Sequence, residues 1–473
     1  MYDPLLYLGF FVIYTILILI FGRHGFDRSE NINDYFIARR SLGLWTSIST
    51  FCATWFSAIS MLGFTGLIYS NGYSSMLFTT VVWFLGAGIM VLAIDRLYDY
   101  GAVTVPEFFR IRYESTTIQV ISGFVIFISF IVYLVFQIQG FGLVIGKLLN
   151  IPYTVGLFLV FLFIIYTTFG GLYSVARTDV LNFVLIMIGT VVAAVLVLDA
   201  IGGIRIMHAM VSKRFFLTNE HQQTSPFSPL PEGGWSIVSF ISSFFAMTLG
   251  ISANPQYVIR IFSAKNKKTA YQMISISIIL ISIAYVALAI VGVGGKLLVP
   301  VGSVPHHDEI FPFMMNEFIT SPLKGLILIS IVAATVSTAN SQLLILASSV
   351  VYDIYQSFRK NKVSDRALLF HTRWLIVVIA TLALLIALTP LQDLIRYTGH
   401  VWGMIAATFF FPLFGGLYFP EVHRRNAIFS IIGGFVTYII SLILIPEDFS
   451  RYVHPAVPSV IISGILFFIK VRR

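Results

Sequence analysis

Long apolar runs and short polar segments alternate along nearly the whole chain. A helix needs about 20 mostly apolar residues to cross a bilayer. Thirteen runs meet or approach that length, near residues 4–22, 45–69, 75–95, 117–147, 153–171, 178–200, 235–259, 269–296, 322–351, 371–390, 396–419, 425–445 and 454–470. The pattern predicts an all-α polytopic membrane protein with about 13 transmembrane helices. The first run has no basic residue before it and no small-residue cleavage site after it, the reverse of a signal peptide, so it reads as a retained helix. Two runs carry polar breaks. Span 2 reads Ala53-Thr54-Trp55-Phe56-Ser57-Ala58-Ile59-Ser60, polar in the middle of an apolar stretch. Span 7 reads Gly250-Ile251-Ser252-Ala253-Asn254-Pro255-Gln256-Tyr257, where the proline removes a backbone hydrogen bond. Spans 2–6 and 7–11 each open on such a segment. Each block holds an odd number of spans, so the two cross the membrane in opposite directions, as inverted repeats with broken midplane helices do.

Charge adds direction. Only 11% of residues are charged and 58% are hydrophobic, with a mean hydropathy of +0.90, against roughly 25% charged in a soluble domain. The net charge of +9 forms no basic stripe, so nucleic acid is not an expected partner. The basic residues fall between the apolar runs. Loops after odd-numbered spans, with the C-terminal tail, hold 22 of them, and the other loops hold 8. The positive-inside rule then places the N-terminus outside and the C-terminus in the cytoplasm. Arg260, Lys265, Lys267 and Lys268 are counted in one such cytoplasmic loop. The single cysteine, Cys52, excludes an internal disulfide and a cysteine-rich metal site.

The next step is exclusion. No Asp, Glu, Lys or Arg falls in the central part of any apolar run, and His400, near the outer end of span 11, is the one intramembrane titratable group of note. Proton relays and voltage sensors use buried ionisable groups, so neither is expected. No nucleophile–base pair or metal cage marks an enzyme, and no organic cofactor is implied. Gly142-x-x-x-Gly146-Lys147 has the wrong spacing for a phosphate-binding loop. Of two longer outer segments, 201–233 reads as a lid or linker. In 298–321, His306-His307-Asp308-Glu309 reads first as a solvated stretch and only second as a metal cluster.

Several motifs carry a resemblance. They are Asn33-Asp34-Tyr35-Phe36 with Arg40-Ser41-Leu42-Gly43; Thr104-Val105-Pro106-Glu107-Phe108 with Arg112-Tyr113; Tyr166-Thr167-Thr168-Phe169-Gly170-Gly171 with Thr178-Asp179; and Pro255-Gln256 with Arg260. Phe311-Pro312, Ala333-Ala334-Thr335-Val336-Ser337-Thr338-Ala339-Asn340-Ser341-Gln342-Leu343 and Asp353-Ile354-Tyr355 follow. In this order the chain resembles the sodium:solute symporter family, with its LeuT-like fold, and in texture the pantothenate and proline transporter branches. The resemblance implies one transporter domain over 1–473, with an extra N-terminal helix (4–22), repeats at 45–200 and 235–419, and two extra helices in 425–470. It also implies sodium-coupled symport of a small organic solute by alternating access, at the cell membrane.

Ala334, Ser337 and Thr338 are spaced i, i+3, i+4 and share one helix face. An unwound Ala53–Phe56 turn would free carbonyls opposite them. Together these make five neutral oxygens, a set for a small monovalent cation and a poor one for calcium. On spacing alone, hydrogen bonding between helices is the favoured role for Ser337 and Thr338. The resemblance assigns the five positions to sodium. It also offers Asp179 and Ser341 for a second sodium, although Asn340 stands where relatives carry serine; Asp179 otherwise pairs with a basic neighbour. For the solute it points to Trp55, Ser57 and Ser60 on span 2, Tyr133 and Gln137 on span 4, and Gln256 and Tyr257 on span 7. Trp55 replaces an acidic residue of proline transporters, which argues against proline. No buried Arg or Lys is expected to meet a carboxylate. Two alternatives stay open: proton coupling on the same fold, or a transporter-like solute sensor.

Overall fold

The computed structural model describes residues 4–23, 31–217, 237–300, 302–304, 306–359, 363–389, 394–450 and 452–469. Residues 218–233 of the segment 201–233 and several basic residues used for orientation (Arg28, Lys360, Lys362, Arg451, Lys470, Arg472 and Arg473) lie outside the described residues. Among the described residues regular structure is helical, and no strand forms. Ten helices are long and apolar enough to cross a membrane, and the bent pair Leu44–Trp55 and Ile59–Asn71 makes an eleventh crossing. The remaining two expected spans are shorter apolar helices, Tyr153–Thr168 and Ala456–Phe468.

Span 9, Lys324–Phe358, is almost wholly buried and forms the centre of the bundle. The first helix sits at the periphery, with Leu5, Val12, Ile13 and Ile16 exposed where hydrocarbon would cover them. Span 4 comes close to the break in span 2 because Gly140 has no side chain: a Cβ there would lie 2.3 Å from that of Ala58.

In lipid, backbone groups released by a broken helix need partners within the protein. Span 2 bends by 63° at its break, where Phe56 takes an extended conformation (φ −76°, ψ 138°). The restarting turn is capped by side chains. Ser57 N–H donates to Ser60 Oγ (2.6 Å), Ser60 N–H to Ser57 Oγ (3.3 Å), and Ala58 N–H to Gln137 Oε1 (3.1 Å). Span 7 is interrupted at Ala253–Asn254 and restarts with Pro255 in the first turn, the position where its missing N–H matters least. There Asn254 Oδ1 accepts from Gln256 N–H at 3.0 Å. Both breaks lie where the sequence predicts them.

The loops segregate by face as the alternation of the spans requires. The Leu42 and Ala264 backbones pair, Lys267 Nζ reaches Asp99 at 2.8 Å, and Arg96 Nη1 donates to Leu417 O at 2.6 Å. Arg112 Nε and Nη2 donate to Gly416 O (2.5 Å) and Phe419 O (2.9 Å), and Arg373 Nε donates to Phe169 O (3.2 Å). These contacts gather the loops after odd-numbered spans on one side. On the other side, Lys296 Nζ donates to Ser70 O (3.0 Å) and Tyr73 meets His208 (3.0 Å).

Candidate functional site

The break in span 2 faces the middle of span 9. Ser337 Oγ donates to Ala53 O at 2.8 Å and to Ala334 O at 3.0 Å. Thr338 Oγ1 donates to Phe56 O at 2.5 Å and to Thr54 O at 3.3 Å. All five residues expected around the first cation are thus brought together, fully buried. Three are carbonyls and two are hydroxyls, so the cluster carries no formal charge.

One turn along, a second polar cluster corrects the sequence reading. Asp179 and Arg260 are both buried within helices, at 0% and 1% exposure. The apolar run of span 7 ends before Arg260, which is why it counts as a loop residue by hydropathy. The helix continues to Ser263, and polar side chains from neighbouring spans line the space around the guanidinium. Arg260 Nη2 donates to Ser341 Oγ (2.6 Å) and Thr54 Oγ1 (2.8 Å), and lies 3.9 Å from Asp179 Oδ2. Thr50 Oγ1 donates to Asp179 Oδ2 at 2.5 Å, and Arg260 Nη1 donates to Gln256 O at 3.1 Å. Asp179 therefore has the basic neighbour that was one of its two expected partners. Asp353 is a further buried carboxylate, accepting from Thr104 Oγ1 (2.6 Å) and Gln119 Nε2 (2.9 Å).

The residues expected around the solute fall into two groups. Ser57, Ser60 and Gln137 cap the restarted helix, so part of their hydrogen-bonding capacity serves the backbone. Trp55, Tyr257 and Tyr133 join an aromatic wall: Trp55 to Tyr257 is 5.0 Å between ring centroids, Trp55 to Phe84 6.2 Å, and Tyr133 to Trp402 6.3 Å. Trp83 extends it toward Tyr285 (5.4 Å) and Trp402 (5.7 Å). Gln256 faces Tyr133 and Tyr257 at the restart of span 7, and among the described residues Gln137 Nε2, Asn254 Nδ2, Trp83 Nε1 and Trp402 Nε1, buried in and beside this wall, lack a hydrogen-bond partner. Buried polar groups are nearly always satisfied, so a cluster of unsatisfied ones marks a place that can receive a polar molecule. Sequence reasoning missed Phe84, Trp83, Tyr285 and Trp402, which sit on spans 3, 8 and 11 without a distinguishing pattern. Thr50 and Thr54 were legible in principle, being one turn apart on the face of span 2 that includes its break.

The His306-His307-Asp308-Glu309 stretch is not simply solvated. Asp308 is buried, with His306 Nδ1 3.3 Å and His307 Nε2 3.5 Å from its carboxylate. His306 Nδ1 also accepts the Asp308 N–H (3.3 Å), capping the short helix that begins there. His400 stacks on His454 at 5.1 Å and meets the Tyr438 hydroxyl at 3.2 Å.

Two discontinuous helices with facing neutral oxygens, inside a multi-pass bundle, define a secondary active transporter with a LeuT-like fold. The profile of the sodium:solute symporter family matches residues 35–434, and the chain belongs to that family. A sodium/proline symporter of Staphylococcus aureus is 27% identical over 478 aligned positions, covering 97% of this chain and 90% of the relative. Among solved structures, a Na+-coupled sialic acid symporter superposes with a TM-score of 0.78 at 18% identity, covering 97% of this chain and 96% of its own. A nucleobase-cation-symport-1 family transporter gives 0.56 at 13% identity, covering 93% and 96%. The protein is thus a sodium-coupled symporter working by alternating access.

Proposed function

We propose that the driving sodium ion binds between the carbonyls of Ala53, Phe56 and Ala334 and the hydroxyls of Ser337 and Thr338. The solute binds beside it, against Trp55, Tyr133 and Tyr257, with its polar end on Ser57, Ser60, Gln137 and Gln256. The observation that carries this reading is the convergence of the span 9 hydroxyls on carbonyls released by the break in span 2. An aromatic wall with orphaned amides suits a small organic solute with an apolar body and a polar end, such as a carboxylate, vitamin or amino acid. The relative named for proline supports the size class, while Trp55 argues for a different solute. In the cell membrane the N-terminus lies outside and the C-terminus in the cytoplasm, so symport is uptake. The blocks 45–200 and 235–419 are the inverted repeats that rock about the site. One charge moving through 100 mV supplies about 2.3 kcal/mol, and a tenfold sodium gradient adds about 1.4. Together they concentrate a neutral solute roughly a few hundred-fold.

The test is ion-dependent thermal stability of the purified protein. Sodium at about 100 times its dissociation constant stabilises by about 2.7 kcal/mol, and potassium or choline at equal ionic strength does not. The double variant Ser337→Ala/Thr338→Ala loses the sodium increment. A shift that is equal with potassium, or unchanged in the double variant, rejects the site.

A further inference from the structure

We propose that His306, His307 and Asp308 bind a zinc ion, and that the bound ion opposes the rocking of the two repeats. The site lies on the face opposite the odd-numbered loops, away from the sodium and solute positions. Its effect on the cycle rests on the reading above that blocks 45–200 and 235–419 move against each other; the ligand set does not.

Among the described residues, these three are the one group of histidine, cysteine or acidic side chains close enough to share a metal ion, with a ligand atom of each within 4.8 Å of the others. Asp308 Oδ2 lies 3.3 Å from His306 Nδ1, and Asp308 Oδ1 lies 3.5 Å from His307 Nε2. Ordinary N–H···O bonds measure about 2.7–3.2 Å. Ligand atoms around a tetrahedral zinc, at bond lengths of about 2.0–2.1 Å, stand about 3.3 Å apart. His306 Nδ1 also accepts the Asp308 N–H at 3.3 Å, so in the neutral ring the proton sits on Nε2. Nδ1 and Oδ2 are then two acceptors side by side, an arrangement that a shared cation stabilises. The carboxylate side chain is 5% exposed and the imidazoles 17% and 31%. The anchoring charge is therefore desolvated while the rings stay open to water. Two imidazoles and a carboxylate suit zinc, with a fourth position for water, whereas calcium and magnesium take oxygen ligands.

The coupling is steric. A Cβ on Gly66 would lie 2.4 Å from the His307 carbonyl oxygen, so the backbone of the cluster rests directly on the second half of the broken span 2, Ile59–Asn71. That contact joins the first repeat to the second. Alternating access rocks one repeat against the other, and an ion that fixes three consecutive residues stiffens the surface on which the half-helix must slide.

Calorimetric titration of zinc into the purified full chain, with excess calcium present, should show one ion bound. His306→Ala/His307→Ala should weaken that binding by at least about tenfold, the scale on which even an outer-shell partner of a metal counts. His307→Gln keeps the His306 cap and should show the same loss, so it decides if the double variant does not fold. A chain that binds no zinc, or binds it equally well in H307Q, overturns the site. Hydrogen exchange then reads the coupling without any solute. Zinc should slow amide exchange in residues 59–71 several-fold in the wild-type chain and leave it unchanged in H307Q, with span 12 unaffected in both. Zinc that binds through His307 without slowing exchange in residues 59–71 overturns the coupling to the repeats and leaves the metal site standing.

Discussion

Thr338→Ala probes the driving-ion site most directly. The Thr338 hydroxyl lies 2.5 Å from the Phe56 carbonyl and 3.3 Å from that of Thr54, in a fully buried setting where water cannot easily replace it. A hydrogen-bond-like contact to a charged group contributes roughly 1.5–3 kcal/mol, which converts to a loss of about tenfold to a hundredfold in sodium affinity. Binding of solute and ion is reciprocally linked, so solute affinity at low sodium should weaken by a related factor and recover as sodium rises. Thr338→Ser keeps the oxygen and should change affinity by only a few-fold, about 1 kcal/mol or less. The assay is radiosodium binding alongside the sodium concentration giving half-maximal uptake, with membrane content checked by blotting. Unchanged half-saturation in a well-inserted T338A would show that the ion does not contact this hydroxyl. An equal loss in T338S would point to steric disturbance in place of ligand loss.

Other expectations can be tested in parallel. Gln256→Ala should raise the half-saturating solute concentration more than that of sodium, and equal shifts would move the solute elsewhere. Gln137→Ala should do the same while also lowering thermal stability by about 1–3 kcal/mol, because it strands the Ala58 amide; unchanged stability would dismiss that capping role. Gly140→Ala would drive a Cβ to 2.3 Å from that of Ala58, costing about 1–3 kcal/mol, and Ala58→Gly in the same chain should recover most of it. In a Cys52→Ala background, a cysteine at position 268 should react with an impermeant maleimide only after the cytoplasmic face is opened; labelling of intact cells would invert the topology.

Much of the fold was legible because membrane spans write themselves as long apolar runs and their breaks as polar residues or proline. Asn254-Pro255 and Ser57–Ser60 announced both interruptions. Ala334, Ser337 and Thr338 were legible as a set because helical spacing puts them on one face. Arg260 was not, since hydropathy treats a charge at the end of an apolar run as a loop residue, and its solvation by Thr54 and Ser341 comes from spans distant in sequence. The aromatic wall shows the same limit. Trp83, Tyr285 and Trp402 meet only through tertiary contact, and aromatics are common in every span. The resemblance pointed to Ser57, Ser60 and Gln137 as solute ligands, and the fold gives them backbone duties that the sequence does not reveal.

The side carrying the odd-numbered loops is fastened mainly by guanidinium groups resting on peptide carbonyls. Arg96 and Arg112 close on the end of span 11 at Leu417, Gly416 and Phe419, and Arg96 also lies over the Tyr418 ring at 4.3 Å. Lys267–Asp99 is an exposed ion pair of the kind that ionic strength weakens. Bonds from arginine to neutral carbonyls and rings have no opposite charge to screen. Opening of this side should therefore proceed at nearly the same rate at low and at high ionic strength.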